Sequence, residues 1–137
     1  MISERALKAI LVVIAAWHIV VGGMGLVAPD TFFDQIGHYG IENSHYVGDV
    51  GAFMLAYGVA VAISIWRASW RAPILWLGAI WYGFHALNHA FDTGEAKSEA
   101  RGWSDTIFLA FGGVAATWLA RVSERLKAKG DEREVRE

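Results

Sequence analysis

The chain has 137 residues, 55% of them hydrophobic and 19% charged, and its formal net charge is −2. A chain this apolar is typical of a protein that crosses a membrane several times, and the balanced charge argues against a nucleic-acid partner. Cysteine is absent, which excludes disulfides, thiolate zinc sites, iron–sulfur clusters and cysteine nucleophiles.

Four apolar stretches approach the roughly 20 residues that a helix needs to cross the hydrocarbon core of a bilayer. They predict an all-α fold, an integral membrane four-helix bundle within residues 1–122, with helices at about 6–28, 45–66, 72–91 and 105–122. The first stretch is too long for the apolar part of a signal peptide, so we expect it to be retained. We expect Pro73 in the first turn of the third helix and Ser104 as the N-cap of the fourth. The charged residues 123–137 should extend the last helix into water.

The basic residues are unevenly distributed along the chain. Most of them precede the first predicted helix, lie between the second and third, or follow the fourth: Arg5, Lys8, Arg67, Arg71, Arg121, Arg125, Lys127 and Lys129. The loop at 29–44 has none, and the loop at 92–104 has only Lys97 and Arg101. Because loops rich in lysine and arginine stay in the cytoplasm, we expect both termini there, in a bacterial inner membrane. The loops at 29–44 and 92–104 should then face the periplasm or the exterior.

Five ionisable side chains are predicted to meet at this outer end of the bundle. They form the patterns His45-x-x-x-Asp49 and His85-x-x-x-His89, together with Asp105 at the start of the fourth helix. Residues four apart lie on one face of a helix. Ionisable groups at membrane depth usually face a bundle interior or a wet cavity, which makes them functional-site candidates.

Imidazoles and carboxylates together predict a site for a transition metal, with zinc, iron and manganese as the candidate ions. The predicted ligands are His45, Asp49, His85 and His89. Further candidates, as ligands or as groups that orient the ligands, are Asp105, His18, Asn88 and Asp92. The structural alternative is that the histidines bond to water or carbonyls, while Asp49 and Asp105 are first-turn acids favoured by the helix dipole.

His18 lies deeper in the first helix, about 15 Å below its outer end at the rise of an α-helix. A buried histidine more often bonds to a carbonyl or a polar neighbour than to a cofactor. The functional alternative is a haem held between His18 and His85, in a slot opened by glycines. Glycines at this depth predict close helix packing more strongly than a bound group. His38, in the loop, is expected to face solvent.

Many of the aromatic residues fall near the predicted membrane interfaces and are expected to form an aromatic belt. They are Trp66, Trp70, Trp76, Trp81, Trp103, Trp118, Tyr46 and Tyr82.

Three short motifs suggest a family. The first helix ends in Gly-Leu-Val-Ala-Pro-Asp at 25–30, Gly48-Asp49 lies in the second helix, and His85-Ala-Leu-Asn-His89 closes the third. With the short chain, they resemble small bacterial four-helix membrane proteins of the DoxX-like type, over about residues 6–122. The resemblance implies the four-helix bundle and, through some relatives, a membrane redox or quinone-related role. It does not account for the histidines at the outer end.

Three functions follow as predictions, and the sequence leaves open whether the protein is an enzyme. The first is metal-dependent or redox chemistry on a lipid-like substrate that enters between helices. The second is electron transfer by a bound haem or quinone, with His18 and His85 as the haem ligands. The third is a non-enzymatic accessory or lipid-binding protein. Membrane lipid is the expected partner in each case, and a homodimer through a glycine-rich face is compatible with all three.

Overall fold

The structure is a computed structural model that describes residues 2–37 and 39–134. These residues form five helices, α1 (Glu4–Val27), α2 (Pro29–Gln35), α3 (Ser44–Trp66), α4 (Ala68–Phe91) and α5 (Glu99–Glu134), with a 3-10 turn at Thr93–Glu95. The predicted all-α fold is confirmed over this part of the chain. The expectation for His38 falls outside the described residues.

The segments that connect the long helices differ from the prediction, and some helices therefore begin at other residues. The loop after α1 contains α2, which begins with Pro29 in the first turn, where its missing N–H has no cost. The turn between α3 and α4 is reduced to Arg67, so Pro73 falls in the second turn of α4 rather than the first. The cap of α5 is Ser98, whose hydroxyl accepts from the Arg101 amide, and not Ser104. The predicted extension of the last helix agrees with α5, which is continuous as far as Glu134.

Three of the described helices, α1, α3 and α5, are long and apolar enough to cross a membrane. This finding agrees with the prediction that the chain is a membrane protein. Helix α4 has the length, with 24 residues, but it carries polar side chains at both ends and is not among the three. By this criterion the described chain has three spans rather than the predicted four.

The long helices are arranged as two pairs. Helix α1 packs closely along α3 and α4 along α5, whereas the contact between the pairs is sparser. Glycines allow the α1–α3 approach: a Cβ added at Gly51 would lie 2.9 Å from the Gly22 carbonyl oxygen, and one at Gly25 would lie 2.9 Å from the Gly51 Cα. These glycines therefore serve close packing, as predicted, and do not open a slot for a bound group.

All four long helices meet in a closed core at the end of the bundle that holds the N-terminus. Its buried residues are Leu7, Leu11, Ala15, Tyr57, Val61, Leu75, Leu119 and Ala120. Arg71, predicted as a topology signal, is buried at the edge of this core. Its guanidinium donates to the carbonyls of Ser64 (2.9 Å) and Ile65 (3.0 Å) and to Glu4 (2.8 Å). It thereby satisfies carbonyls that the end of α3 leaves without helical donors, and joins them to α1.

Candidate functional site

A cavity of about 800 Å³ lies between the two helix pairs at the other end of the bundle. Its walls come from the second half of α1, the first half of α3, the second half of α4 and the first half of α5. Val21, Met54 and Phe108 are among its apolar lining residues, and His85 and His89 are among its polar ones. The structure therefore brings together the helix ends that the alternating directions predicted.

His85 and His89 form a pair in the wall of this cavity. Their Nε2 atoms are 3.1 Å apart, so one ring donates and the other accepts. Two protonated rings would place N–H against N–H, and the pair in this arrangement carries at most one positive charge. The Nδ1 atoms of both rings are buried and have no hydrogen-bond partner among the described residues. Water or a bound molecule that reached these atoms would offset a cost of about 1–3 kcal/mol each.

Tyr39 lies over the pair from the loop that follows α2. Its ring packs edge-on against His89, with centroids 4.4 Å apart, and its hydroxyl donates to Asp105 at 3.3 Å. Burial, with the negative charge of Asp105, raises the pKa of Tyr39 to about 12. Tyr39 is held in place because the Gly40 amide donates to the Glu95 carbonyl of the next loop, at 3.1 Å.

Asp105 is not a first-turn acid, because α5 begins six residues earlier than predicted. It lies in the second turn and forms an ion pair with Arg101, one turn before it, with Nε 3.0 Å from Oδ1. Arg101 and the Tyr39 hydroxyl together satisfy this carboxylate. Asp92, at the end of α4, accepts from the Asn88 amide at 3.1 Å, so these two residues both cap the helix and line the cavity.

His45 and Asp49 do not line this cavity. Their side chains are 81% and 67% exposed and are 3.8 Å apart, so the two residues pair with each other on the outside of α3. Asp49 borders a smaller groove between α3 and α4, which it shares with His85. The predicted four-ligand set is therefore divided. Among the described residues, no group of three or more His, Cys, Asp or Glu side chains could hold a metal ion.

His18 forms the floor beneath the cavity and is only 2% exposed. Its Nδ1 lies 2.7 Å from the Ile14 carbonyl, which can only accept, so Nδ1 carries the proton. Its Nε2 then accepts from the Tyr82 hydroxyl, at 2.8 Å. Both ring nitrogens are thus engaged, and Trp81 lies between His18 and His85, 6.3 Å and 5.2 Å from their ring centroids. The arrangement favours the structural interpretation of His18 over an iron ligand.

Several lining residues were not expected. Trp81 and Tyr82 were predicted to lie in an aromatic belt, but both line the cavity. The position of Trp81 was readable from spacing, because residues 81, 85 and 89 lie one turn apart on one face of α4. Trp76 bonds to Glu124 at 2.8 Å. Tyr46 is exposed and also lines the cavity. The remaining members of the predicted belt are exposed: Trp66, Trp70, Trp103 and Trp118.

Comparison of the chain with protein-family models, with curated proteins and with solved structures finds no match. The resemblance to the DoxX-like proteins therefore stays a prediction, and the function has to be inferred from the cavity itself.

Proposed function

We propose that the protein is an integral membrane protein that binds a lipid-like amphiphile in the cavity between its two helix pairs. The observation that carries this proposal is the composition of the cavity wall. Its deeper part is apolar and aromatic, with Val21, Met54 and Phe108, and its outer part carries the His85–His89 pair and Asp105. The volume of about 800 Å³ lies within the range of about 300–1,000 Å³ typical of small-molecule sites.

Helix α4 is proposed as the fourth membrane span. Its 24 residues extend about 36 Å at the rise of an α-helix. Its polar side chains face the cavity, the closed core or the loops, while its outer surface is apolar, with Leu77, Ile80, Phe84, Leu87 and Phe91 exposed. Such a helix has a reduced mean hydropathy and still presents hydrocarbon to lipid. The sparse contact between the helix pairs would let an amphiphile enter from the bilayer.

The orientation is proposed from the basic residues. Lys8, Arg67 and Arg121 lie at the end with the closed core, which the positive-inside rule assigns to the cytoplasm of a bacterial inner membrane. The cavity would then open near the periplasmic or outer surface, where the head group of a bound amphiphile meets the polar part of the wall. Of the three predicted functions, a cavity with an apolar interior and a polar outer wall favours the lipid-binding protein.

A metal ion held by the histidine pair is the second candidate. Two nitrogen ligands of one tetrahedral ion, each about 2.0–2.1 Å from it, are roughly 3.3 Å apart. The Nε2 atoms of His85 and His89 are 3.1 Å apart, and this distance is the observation that favours it. No third protein ligand adjoins them within the described chain, so water or the amphiphile would complete the coordination. Elemental analysis and a visible spectrum of the purified protein, with a His85→Ala/His89→Ala control, decide this question.

The proposed function is tested by identifying what co-purifies with the protein. Val50 lines the cavity, so Val50→Trp fills part of it, whereas Val59→Trp on the same helix adds the same bulk to the outer face. We expect solvent extraction and mass spectrometry to find a retained amphiphile in the wild type and in Val59→Trp, and much less in Val50→Trp. Equal lipid content in all three proteins would contradict the proposal.

A further inference from the structure

We infer that the amphiphile has an uncharged head group bearing a hydroxyl or a carbonyl, and not the anionic head of a phospholipid. This inference rests on the proposed function and concerns the same cavity. It comes from the charges that line the wall and from the hydrogen bonds that the protein leaves open there.

Formal charges on the described cavity wall do not favour an anion. Its charged residues are Asp92, Arg101 and Asp105. Arg101, the one cation among them, has its Nε 3.0 Å from the Asp105 carboxylate. An anionic head group could reach only the terminal nitrogens of Arg101, whose charge the Asp105 carboxylate already offsets, and it would lie near two carboxylates. Since like charges at close range repel, the net charge of this wall disfavours phosphate, sulfate or carboxylate.

A cationic head group finds little uncompensated negative charge, because Arg101 offsets Asp105 and leaves Asp92, at the outer end of α4, as the one carboxylate of the described wall without a cationic partner. Asp105 accepts from Arg101 and from the Tyr39 hydroxyl, and Asp92 accepts from the Asn88 amide. The imidazoles of His85 and His89 hydrogen-bond to each other through Nε2, and their buried Nδ1 atoms have no partner among the described residues. An uncharged imidazole has one donor and one acceptor, which suits a neutral partner.

The geometry of the histidine pair fits a hydroxyl in particular. The Nε2 atom of one ring donates to that of the other across 3.1 Å. A hydroxyl both accepts and donates, so it can replace this bond by accepting from the first Nε2 and donating to the second. A carbonyl oxygen can accept from the donor ring alone. In either case the head group would lie at the outer part of the cavity, with Trp81 and Phe108 lining the space for its apolar body.

The test uses the full-length protein in a neutral maltoside detergent and three probes with the same sixteen-carbon chain. The probes are hexadecan-1-ol, hexadecyl sulfate and hexadecyltrimethylammonium, which differ only in the head group. Native mass spectrometry measures the dissociation constant of each. We expect the alcohol to bind about tenfold more tightly than either ion, because the ions lose solvation that the wall does not replace.

Variants separate the head-group site from the rest of the cavity. We expect His85→Ala/His89→Ala to remove most of the preference for the alcohol. His85→Asn keeps an uncharged donor and acceptor at this position, so it should retain part of the preference for the alcohol. It also controls for a double variant that fails to fold. His45→Ala is the matched control, because His45 lies at the same end of the bundle but is exposed outside the cavity.

The outcomes distinguish the two proposals. If either ion binds as tightly as the alcohol, and Val50→Trp abolishes that binding, the uncharged head group is wrong while the amphiphile cavity stands. If the alcohol binds best but the histidine double variant keeps the full preference, recognition of the head group by His85 and His89 is wrong. If none of the probes binds in a way that Val50→Trp reduces, the proposed function itself fails.

Discussion

The two ends of the bundle treat their buried polar groups in opposite ways. At the closed end, Arg71 has three acceptors, and the hydroxyls of Ser64 and Ser123 donate to carbonyls in their own helices. At the cavity end, the buried Nδ1 atoms of His85 and His89 have no partner among the described residues. Buried polar groups that are satisfied within the protein, as at the closed end, need no ligand, whereas polar atoms without a partner beside a cavity favour a bound molecule there.

His18 lies between these two ends and belongs with the closed one. It was a candidate for cofactor binding because an ionisable residue within a membrane segment is expensive. However, its two ring nitrogens bond to the Ile14 carbonyl and the Tyr82 hydroxyl. Its polarity is therefore accounted for within the protein, in the same way as that of Arg71.

The largest expected effect is at the closed end. Arg71→Ala removes three hydrogen bonds and leaves Glu4 and the end of α3 without their donor. We expect the free energy of unfolding to fall by about 2–4 kcal/mol, because the Ser64 and Ile65 carbonyls lose their donor, whereas the half-exposed Glu4 loses its partner at little cost. Thermal unfolding in detergent measures this, with Arg67→Ala as the exposed control. Equal losses in the two variants would show that the Arg71 contacts do not stabilise the closed end.

A smaller effect is expected where α1 and α3 approach each other. Gly51→Ala forces a methyl group against the α1 backbone and should destabilise the protein by about 1–3 kcal/mol. Gly48→Ala is the matched control on the same helix, because a Cβ there meets nothing within 4 Å. We expect that variant to be neutral or slightly more stable, since alanine favours helix. If Gly51→Ala is also neutral, the close approach of the two helices is incorrect.

The smallest effect concerns the floor of the cavity. Tyr82→Phe removes the hydroxyl that donates to His18 and leaves the ring in place. We expect a loss of about 1 kcal/mol in the free energy of unfolding, measured by chemical denaturation, because one buried acceptor loses its donor. Tyr46→Phe, at an exposed site, should change little. A Soret band in the wild-type spectrum that Tyr82→Phe intensifies would instead revive the haem interpretation.

Much of the fold was predictable because it follows from local chemistry. The length of the apolar stretches predicted the long helices. The helix-favouring residues in 123–137 predicted that α5 extends beyond its apolar part. The short helix α2 was missed since seven residues with mixed polarity have no clear helical period. The start of α5 was misplaced because Ser98 and Ser104 are both acceptable caps, and only the tertiary structure selects Ser98.

Two of the four predicted ligands, His85 and His89, line the cavity, and the other two, His45 and Asp49, do not. The spacing of His85 and His89 correctly placed both on one face, and that face of α4 borders the cavity. The spacing of His45 and Asp49 was equally regular, but α3 is apolar on nearly all sides, so its sequence does not indicate which face is buried. Val50, beside Asp49 in the sequence, lines the cavity, while both polar side chains face outward. Helix rotation, which packing decides, was the missing information.

The proposal that an amphiphile binds between the two helix pairs is tested most directly by mapping where it binds. Hexadecan-1-ol carrying a diazirine in its chain can be bound to the wild type, activated by light and mapped by peptide mass spectrometry. We expect labels on cavity residues from different helices, such as Val21, Met54 and Phe108, and their loss in Val50→Trp. Labels confined to outward-facing residues such as Val59 and Trp118, unchanged by Val50→Trp, would contradict it.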